Sequence, residues 1–481
     1  MMEKVTNTII ETFEAISAIP RCSKNEAKLA AWLMDWAREH GYPFRSDEAG
    51  NLVIQVPASP GMDGKPTVIL QGHMDMVCEK TPESAHDFEC DPIRVLRDGD
   101  WIHADGTTLG ADNGIALAMA LVLVEDDAVR HPPLELLFTV DEESGLIGAH
   151  KLDASLITGR ILINIDSEDE GVFTIGCAGG EETLVRLPLV YEDWPDGCDC
   201  GRIVVGGLRG GHSGVDIHKP RANANRLLGR LLLRLLEAPD FRLVSLAGGS
   251  AHNAIPRDAS AWVAFPPSQA AAVRDAVKGC EQIFIEEHAD TEPNLFVHFE
   301  ALEGALPEHV LGSESALQAV RLLNALPHGV HGMSTRVAGL VETSCNLAIV
   351  RIAKDALDVI SSQRSSAMSR LDEMTERVTA VATLAGASAT RMNHHPAWMP
   401  DMQATLLKHC REVYGALYDK EPVVEVIHAG LECGLIGDKV PGMEMISIGP
   451  NLRYPHSPDE KLNVPSVGRV YQFLAALLAS F

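Results

Sequence analysis

The sequence predicts an α/β fold with a mainly parallel sheet, interrupted by a second, α+β domain. Three observations carry this. Short apolar runs of strand length alternate with helical stretches. The alternation occupies residues 1–186, stops, and resumes over 388–481, so 187–387 reads as an insertion. Finally, His73, Asp112, Glu143 and Asp166 each stand just after an apolar run or at the start of a helical one. In open α/β sheets, ligands bind beyond the carboxyl ends of the strands, which is where these four fall.

The elements follow in order. Ile9, Ile10, Phe13, Ile16 and Ile19 keep helical spacing over 7–19, and Leu29, Trp32, Leu33 and Trp36 do so over 24–40. Residues 51–56 read as a strand, and 57–64 as a polar turn. Residues 67–70 form a buried strand that runs into Gln71-Gly72-His73-Met74-Asp75. Gly110-Ala111-Asp112-Asn113-Gly114 opens an Ala- and Leu-rich helix to about Val124. The apolar strand from Leu134 to Val140 ends in Asp141-Glu142-Glu143 and the turn signal Ser144-Gly145. The strand over 161–165 ends in Asp166-Ser167-Glu168-Asp169. The insertion contains several strands and helices over 221–236 and 365–385. A helix near 401–415, strands over 423–427 and 443–448, and a helix after Pro465 restore the first pattern.

Composition narrows the partners. At 481 residues the chain exceeds one ordinary core, and 46% hydrophobic with 22% charged residues is a globular balance. A net charge of -27 argues against nucleic acid and anionic membrane, and suits metal cations. The start Met1-Met2-Glu3-Lys4 lacks the basic and apolar regions of a signal peptide. No apolar run reaches the ~18 residues of a membrane span. The ten cysteines are scattered, with Cys198-Asp199-Cys200 the only close pair, so reduced thiols in a cytoplasmic protein are expected.

The acids and histidines at the strand ends point to metal. An isolated Asp-Glu-Glu reads as a solvated turn, and Asp112 alone reads as a helix cap. Carboxylates gathered at the ends of buried strands repel each other unless a cation sits among them. His73, Asp112, Glu143 and Asp166 together form a donor set suited to zinc, cobalt or manganese. Asp75, two residues beyond His73, is placed to hold the imidazole's second N–H. His456 fits as a fifth ligand, with His394, His395 and His428 as competitors.

Taken with Gly72-His73-Met74-Asp75, Gly110-Ala111-Asp112-Asn113-Gly114, Asp141-Glu142-Glu143, Asp166-Ser167-Glu168-Asp169 and His456-Ser457-Pro458-Asp459-Glu460, the chain resembles the M20 family of metallopeptidases. It is most similar to the aminoacyl-histidine dipeptidase branch. Ile175-Gly176-Cys177-Ala178-Gly179-Gly180 and Ile427-His428-Ala429-Gly430-Leu431-Glu432-Cys433-Gly434-Leu435 support the branch. The resemblance implies two divalent ions, zinc first, with cobalt or manganese as alternatives. His73, Asp112 and Asp166 would hold one, and Asp112, Glu143 and His456 the other. Asp75 would orient His73, and Glu142 would be the general base toward a water between the ions. A cis peptide after Asp112 is also implied.

The implied activity is a cytoplasmic dipeptidase of unblocked dipeptides, Xaa-His and β-Ala-His types included. An M20-type N-acyl amino-acid deacylase or aminopeptidase is the alternative. The insertion would serve as a lid and a homodimer surface. His212 in Gly210-Gly211-His212-Ser213-Gly214 resembles the family histidine that meets the substrate carbonyl, and Asn253 the lid asparagine. Gly430 would line the pocket. Arg364 is the candidate for the substrate carboxylate, with Arg351 and Arg370 competing.

Overall fold

The computed structural model describes residues 2–238, 240–302, 306–335 and 337–481. They form two compact units. The first comprises Met1–Cys177, Trp398–Val426 and Leu431–Phe481, and the second Ala178–Ala397 with Ile427–Gly430.

The first unit is built on an eight-stranded sheet. Its order is Phe44–Ser46, Leu52–Val56, Leu134–Thr139, Val68–His73, Ile161–Asn164, Glu444–Ser447, Val172–Cys177, Val423–Ile427. The four strands from Leu134–Thr139 to Glu444–Ser447 are parallel. Their neighbours Leu52–Val56 and Val172–Cys177 run antiparallel. Leu134–Thr139 and Val68–His73 are buried at every position, as parallel strands covered on both faces must be. The helix Ala111–Glu125 is apolar on all sides and is buried accordingly. Because the central strands are parallel, their carboxyl ends share one rim, which carries the residues after His73, Thr139 and Asn164. A separate antiparallel sheet pairs Leu452–Arg453 with Lys461–Asn463, so His456 lies in a hairpin loop.

The second unit is an antiparallel sheet of nine strands. Its long central pair is Val341–Ala353 with Ala356–Ser365. The helices Ala224–Leu235, Ala270–Glu287, Ser313–Ala325 and Met368–Leu384 contribute the apolar residues that complete its core. Gly179–Pro188 pairs with both Ala356–Ser365 and Ser388–His395. The seams expected at 186 and 388 thus fall inside two strands hydrogen-bonded to each other, and this pairing carries the unit's borders outward on both sides.

The expectation of ten free thiols is corrected. Cys22 and Cys78 form a disulfide, with Cα atoms 5.7 Å apart and 56 residues of separation. A bridge between Cys22 and Met76 lays the two segments side by side, which no local spacing announces. Cys90, Cys198, Cys200, Cys280, Cys345, Cys410 and Cys433 are free thiols. Among the described residues no helix is long and apolar enough to cross a membrane.

Candidate metal centre

The residues expected at the rim converge in the first unit. His73 ends its strand, with Nε2 3.0 Å from Asp112 Oδ1 and 3.5 Å from Asp166 Oδ1. His456 Nε2 lies 3.2 Å from Asp112 Oδ2 and 3.0 Å from Glu143 Oε2. Asp112 thus turns one oxygen to each histidine. Two groups result, His73–Asp112–Asp166 and Asp112–Glu143–His456, each with donor atoms within 4.8 Å of one another. Asp166 Oδ1 and Glu143 Oε1 are buried without a hydrogen-bond partner. Buried carboxylate oxygens left without donors are costly unless a cation meets them. The donor set, two imidazoles and three carboxylates, fits a pair of borderline divalent ions.

Asp75 serves more than the imidazole. Its Oδ1 is 3.3 Å from His73 Nδ1, and its carboxylate accepts from Glu142 N at 3.0 Å, Glu143 N at 3.2 Å and Ser23 Oγ at 2.8 Å. It therefore positions His73 and the backbone of both glutamates together. Burial alone would raise its carboxyl, but the bonds from His73, Glu142 and Ser23 outweigh this and hold it at about 2. Burial works the other way on Glu142, whose carboxyl is pushed well above the usual range, with Glu143, Asp166 and Glu432 adding repulsion. Glu142, Glu143 and His73 also share a 4.8 Å neighbourhood, so Glu142 stands beside the centre.

A supporting frame went unread in the sequence. The buried Glu460 accepts from the main-chain N–H groups of Leu109, Gly110, Ala111 and Asp112. The buried Arg21 donates to the carbonyls of Met74, Asp75 and Gly110. Asn113 accepts from His73 N at 3.2 Å and donates to Ile165 O at 2.8 Å, tying two strand ends to the helix start. Its peptide bond to Asp112 is cis. Glu432 is wholly buried and accepts from Gln71 and Thr139. Glu460 and Glu432 both stand in quoted motifs, but nothing in spacing tells a buried acceptor from a surface acid.

The substrate candidates all lie in the second unit. His212 Nδ1 accepts from the main-chain N–H groups of Gly214 at 3.2 Å and Val215 at 3.1 Å. The proton of a neutral ring is therefore on Nε2, making that nitrogen a donor. Asn253 is exposed, and its carbonyl accepts from Ser213 N at 2.7 Å, fixing its loop to that of His212. Arg364 is 8% exposed and stands in register between Ser344 and Gly180. Arg351 is exposed, and the exposed Arg370 pairs with Glu373 at 2.6 Å. Gly430 belongs to the short segment that joins this unit. His428 is buried, with Nε2 2.8 Å from Ser344 Oγ. His394 lies 3.5 Å from Glu181, and the ring of His395 stands over Gly180, so neither histidine joins the rim cluster.

This fold belongs to a known family. The model of peptidase family M20/M25/M40 matches residues 69–480, and the chain belongs to that family. It is similar to the cytosol non-specific dipeptidase of Escherichia coli K12, with 40% identity over 97% of this chain and 96% of that protein. The crystal structure of an aminoacylhistidine dipeptidase from Vibrio alginolyticus superposes with a TM-score of 0.84 at 38% identity, covering 98% of this chain and 96% of that one. Aminopeptidase PepT from Bacillus cereus shares the fold at a TM-score of 0.56 and 15% identity, over 98% of each chain.

Proposed function

We propose that the protein is a dimetal dipeptidase acting on unblocked dipeptides, Xaa-His among them. The observation that carries this is Asp112 facing His73 with one oxygen and His456 with the other, with Glu142 beside them. A merely structural metal site has no use for that additional carboxylate. His73, Asp112 and Asp166 would hold one ion, and Asp112, Glu143 and His456 the second. Zinc heads the candidates, with cobalt and manganese suiting the same donors. Bound there, the ions would supply Lewis acidity and lower the pKa of an attacking water.

The chain's own groups do the rest. Glu142, beside the centre, accepts the proton of the attacking water and returns it to the leaving amine. Asp75 keeps the His73 ring and the Glu142 main chain in register. In the second unit, His212 offers its Nε2–H to the substrate carbonyl as negative charge grows there. Arg364, the one buried arginine of its three candidates, takes the C-terminal carboxylate, with Asn253 and Gly430 as further contacts. The names of the Escherichia coli and Vibrio relatives support the dipeptide substrate, and the former supports a cytosolic setting. The Cys22–Cys78 disulfide would meet reductants there.

The test is purified protein, metal-stripped and then given zinc, cobalt or manganese. Substrates are Ala-His, Gly-His, β-Ala-His and acetylated amino acids. Metal-dependent cleavage of the dipeptides is expected. Cleavage of the acetylated amino acids alone would make the protein a deacylase instead. Light scattering on the same sample tests the homodimer.

A further inference from the structure

We propose that Glu432 and a buried row of polar side chains below the rim are positioning residues for one ion. They set His73 and Asp166 for the ion that these two would hold with Asp112. The proposal deepens the dimetal reading and rests on it. The row crosses the sheet of the first unit. In register, Gln71 lies opposite Asn164, Asn164 opposite Ser447, and Ser447 opposite Thr174. Four neighbouring strands thus carry a polar residue at one level, and each of the four is 1% exposed or less.

Strands covered on both faces are ordinarily apolar throughout, and an amide or hydroxyl buried among them is costly unless it is bonded. These are bonded to one another. Asn164 Nδ2 donates to Gln71 Oε1 at 2.6 Å, and Ser447 Oγ donates to Asn164 Oδ1. The hydroxyls of Ser447 and Ser167 are 2.9 Å apart, and Thr174 Oγ1 donates to Glu425 Oε1 at 3.1 Å. Glu432, the first residue of the helix Glu432–Lys439, closes the other end. Its Oε2 accepts from Gln71 Nε2 at 2.6 Å and from Thr139 Oγ1 at 2.8 Å.

The level of the row gives it a role. Alternate residues of a strand share a face, so Gln71 stands one step below His73 on the same face. Asn164 precedes Asp166 by the same two residues, and a bond from Ile165 N to Gln71 O at 2.9 Å keeps the strands paired beyond it. Thr139 lies opposite His73. The strands that carry His73 and Asp166 therefore cannot slide past each other without breaking a buried side-chain bond. Glu143 and His456 depend on the row less. The Glu143 main chain is held by Asp75, and His456 stands in the separate hairpin loop.

The experiment titrates zinc into the metal-stripped full-length protein by calorimetry, on wild type, Glu432→Met and Glu432→Gln. Glu432→Met removes the acceptor at similar size. It should weaken one of two zinc-binding events by ~10–100-fold and leave the other within about threefold of wild type. Anomalous scattering from partly loaded crystals should place the weakened ion at His73 and Asp166. Glu432→Gln keeps an oxygen for both Gln71 and Thr139 and should restore the binding to within about threefold of wild type. Where Glu432→Met does not fold, Ser447→Ala breaks the row further along and should weaken the same position by a smaller factor. A lower unfolding temperature with both zinc events unchanged would make the row merely structural and overturn the proposal. Weakening at Glu143 and His456 would also overturn it, as would a Glu432→Gln as weak as Glu432→Met. Wild type that binds fewer than two ions would overturn the dimetal reading instead.

Discussion

Glu460 holds the main chain of Asp112. Its Oε1 accepts from Ala111 N at 2.8 Å and Asp112 N at 3.3 Å, and its Oε2 from Leu109 N at 2.8 Å and Gly110 N at 3.0 Å. These are N–H groups at the start of the helix Ala111–Glu125, where a negative group is favoured. Asp112 is also the residue that faces both histidines, and Glu460 lies four residues after His456. One carboxylate thus joins the helix start to the hairpin loop.

Glu460→Gln should therefore be felt in both stability and metal. The amide would turn N–H groups toward main-chain donors and leave some of them buried without an acceptor. A loss of about 1–3 kcal/mol in stability is expected. Because Asp112 would no longer be braced, metal content should fall as well. Calorimetry and elemental analysis of the purified variant check both. A variant with wild-type unfolding temperature and full metal would show that the brace is dispensable.

The adjacent glutamates should fail differently. Glu142→Gln keeps size but cannot accept a proton. Turnover should drop ~10²–10⁴-fold with metal content unchanged. Glu143→Ala removes a residue 3.0 Å from His456 Nε2, and metal content should fall together with activity. Initial rates on one histidine dipeptide, with metal analysis, distinguish them. Glu142→Gln that strips the metal, or turns over within a few-fold of wild type, would exchange the two roles.

His212 is expected to act on charge that develops during reaction. Its Nδ1 is occupied by the Gly214 and Val215 amides, which leaves Nε2–H as the donor. His212→Ala should cost ~10²–10³-fold in kcat with a small change in KM. Metal content should not move, since His212 belongs to the second unit. Steady-state kinetics decide it, and a variant that changes only KM would assign the histidine to ground-state binding.

Much of this site was legible because its residues stand at the ends of elements the sequence announces. His73, Glu143 and Asp166 follow apolar runs that can only be buried strands, and parallel pairing brings their ends to one rim. The brace of Glu460, Arg21 and Asn113 was not legible. Its partners are main-chain atoms up to 351 residues away, and a hydrogen bond to a backbone group leaves no mark on the partner's identity. The borders of the second unit were hidden for a related reason. Gly179–Pro188 and Ser388–His395 look like ordinary strands, and only their mutual pairing decides which unit they join. The Cys22–Cys78 bond likewise depends on two segments meeting, not on either alone.

Stability should also depend on pH through His428. Burial, followed by the charges of Arg364, His212 and His218, lowers this imidazole to about 3. In the unfolded chain it titrates near ~6.5. Between these values the unfolded state binds the extra proton, so acid favours unfolding. The contribution of a neutral His428 is fully present above about pH 6.5 and is lost as pH falls toward 3. The slope approaches about 1.4 kcal/mol per pH unit. His428→Gln retains an acceptor for Ser344 Oγ but has no proton to gain. From pH 6.5 to 5 its stability should fall about 2 kcal/mol less than that of wild type. His328, also lowered to about 3 by burial, is unchanged in both proteins and cancels in the comparison. Denaturant unfolding of the two proteins across that range gives the difference directly. Parallel pH profiles would mean that His428 takes up its proton without unfolding, and that the pocket around Ser344 admits a charged ring.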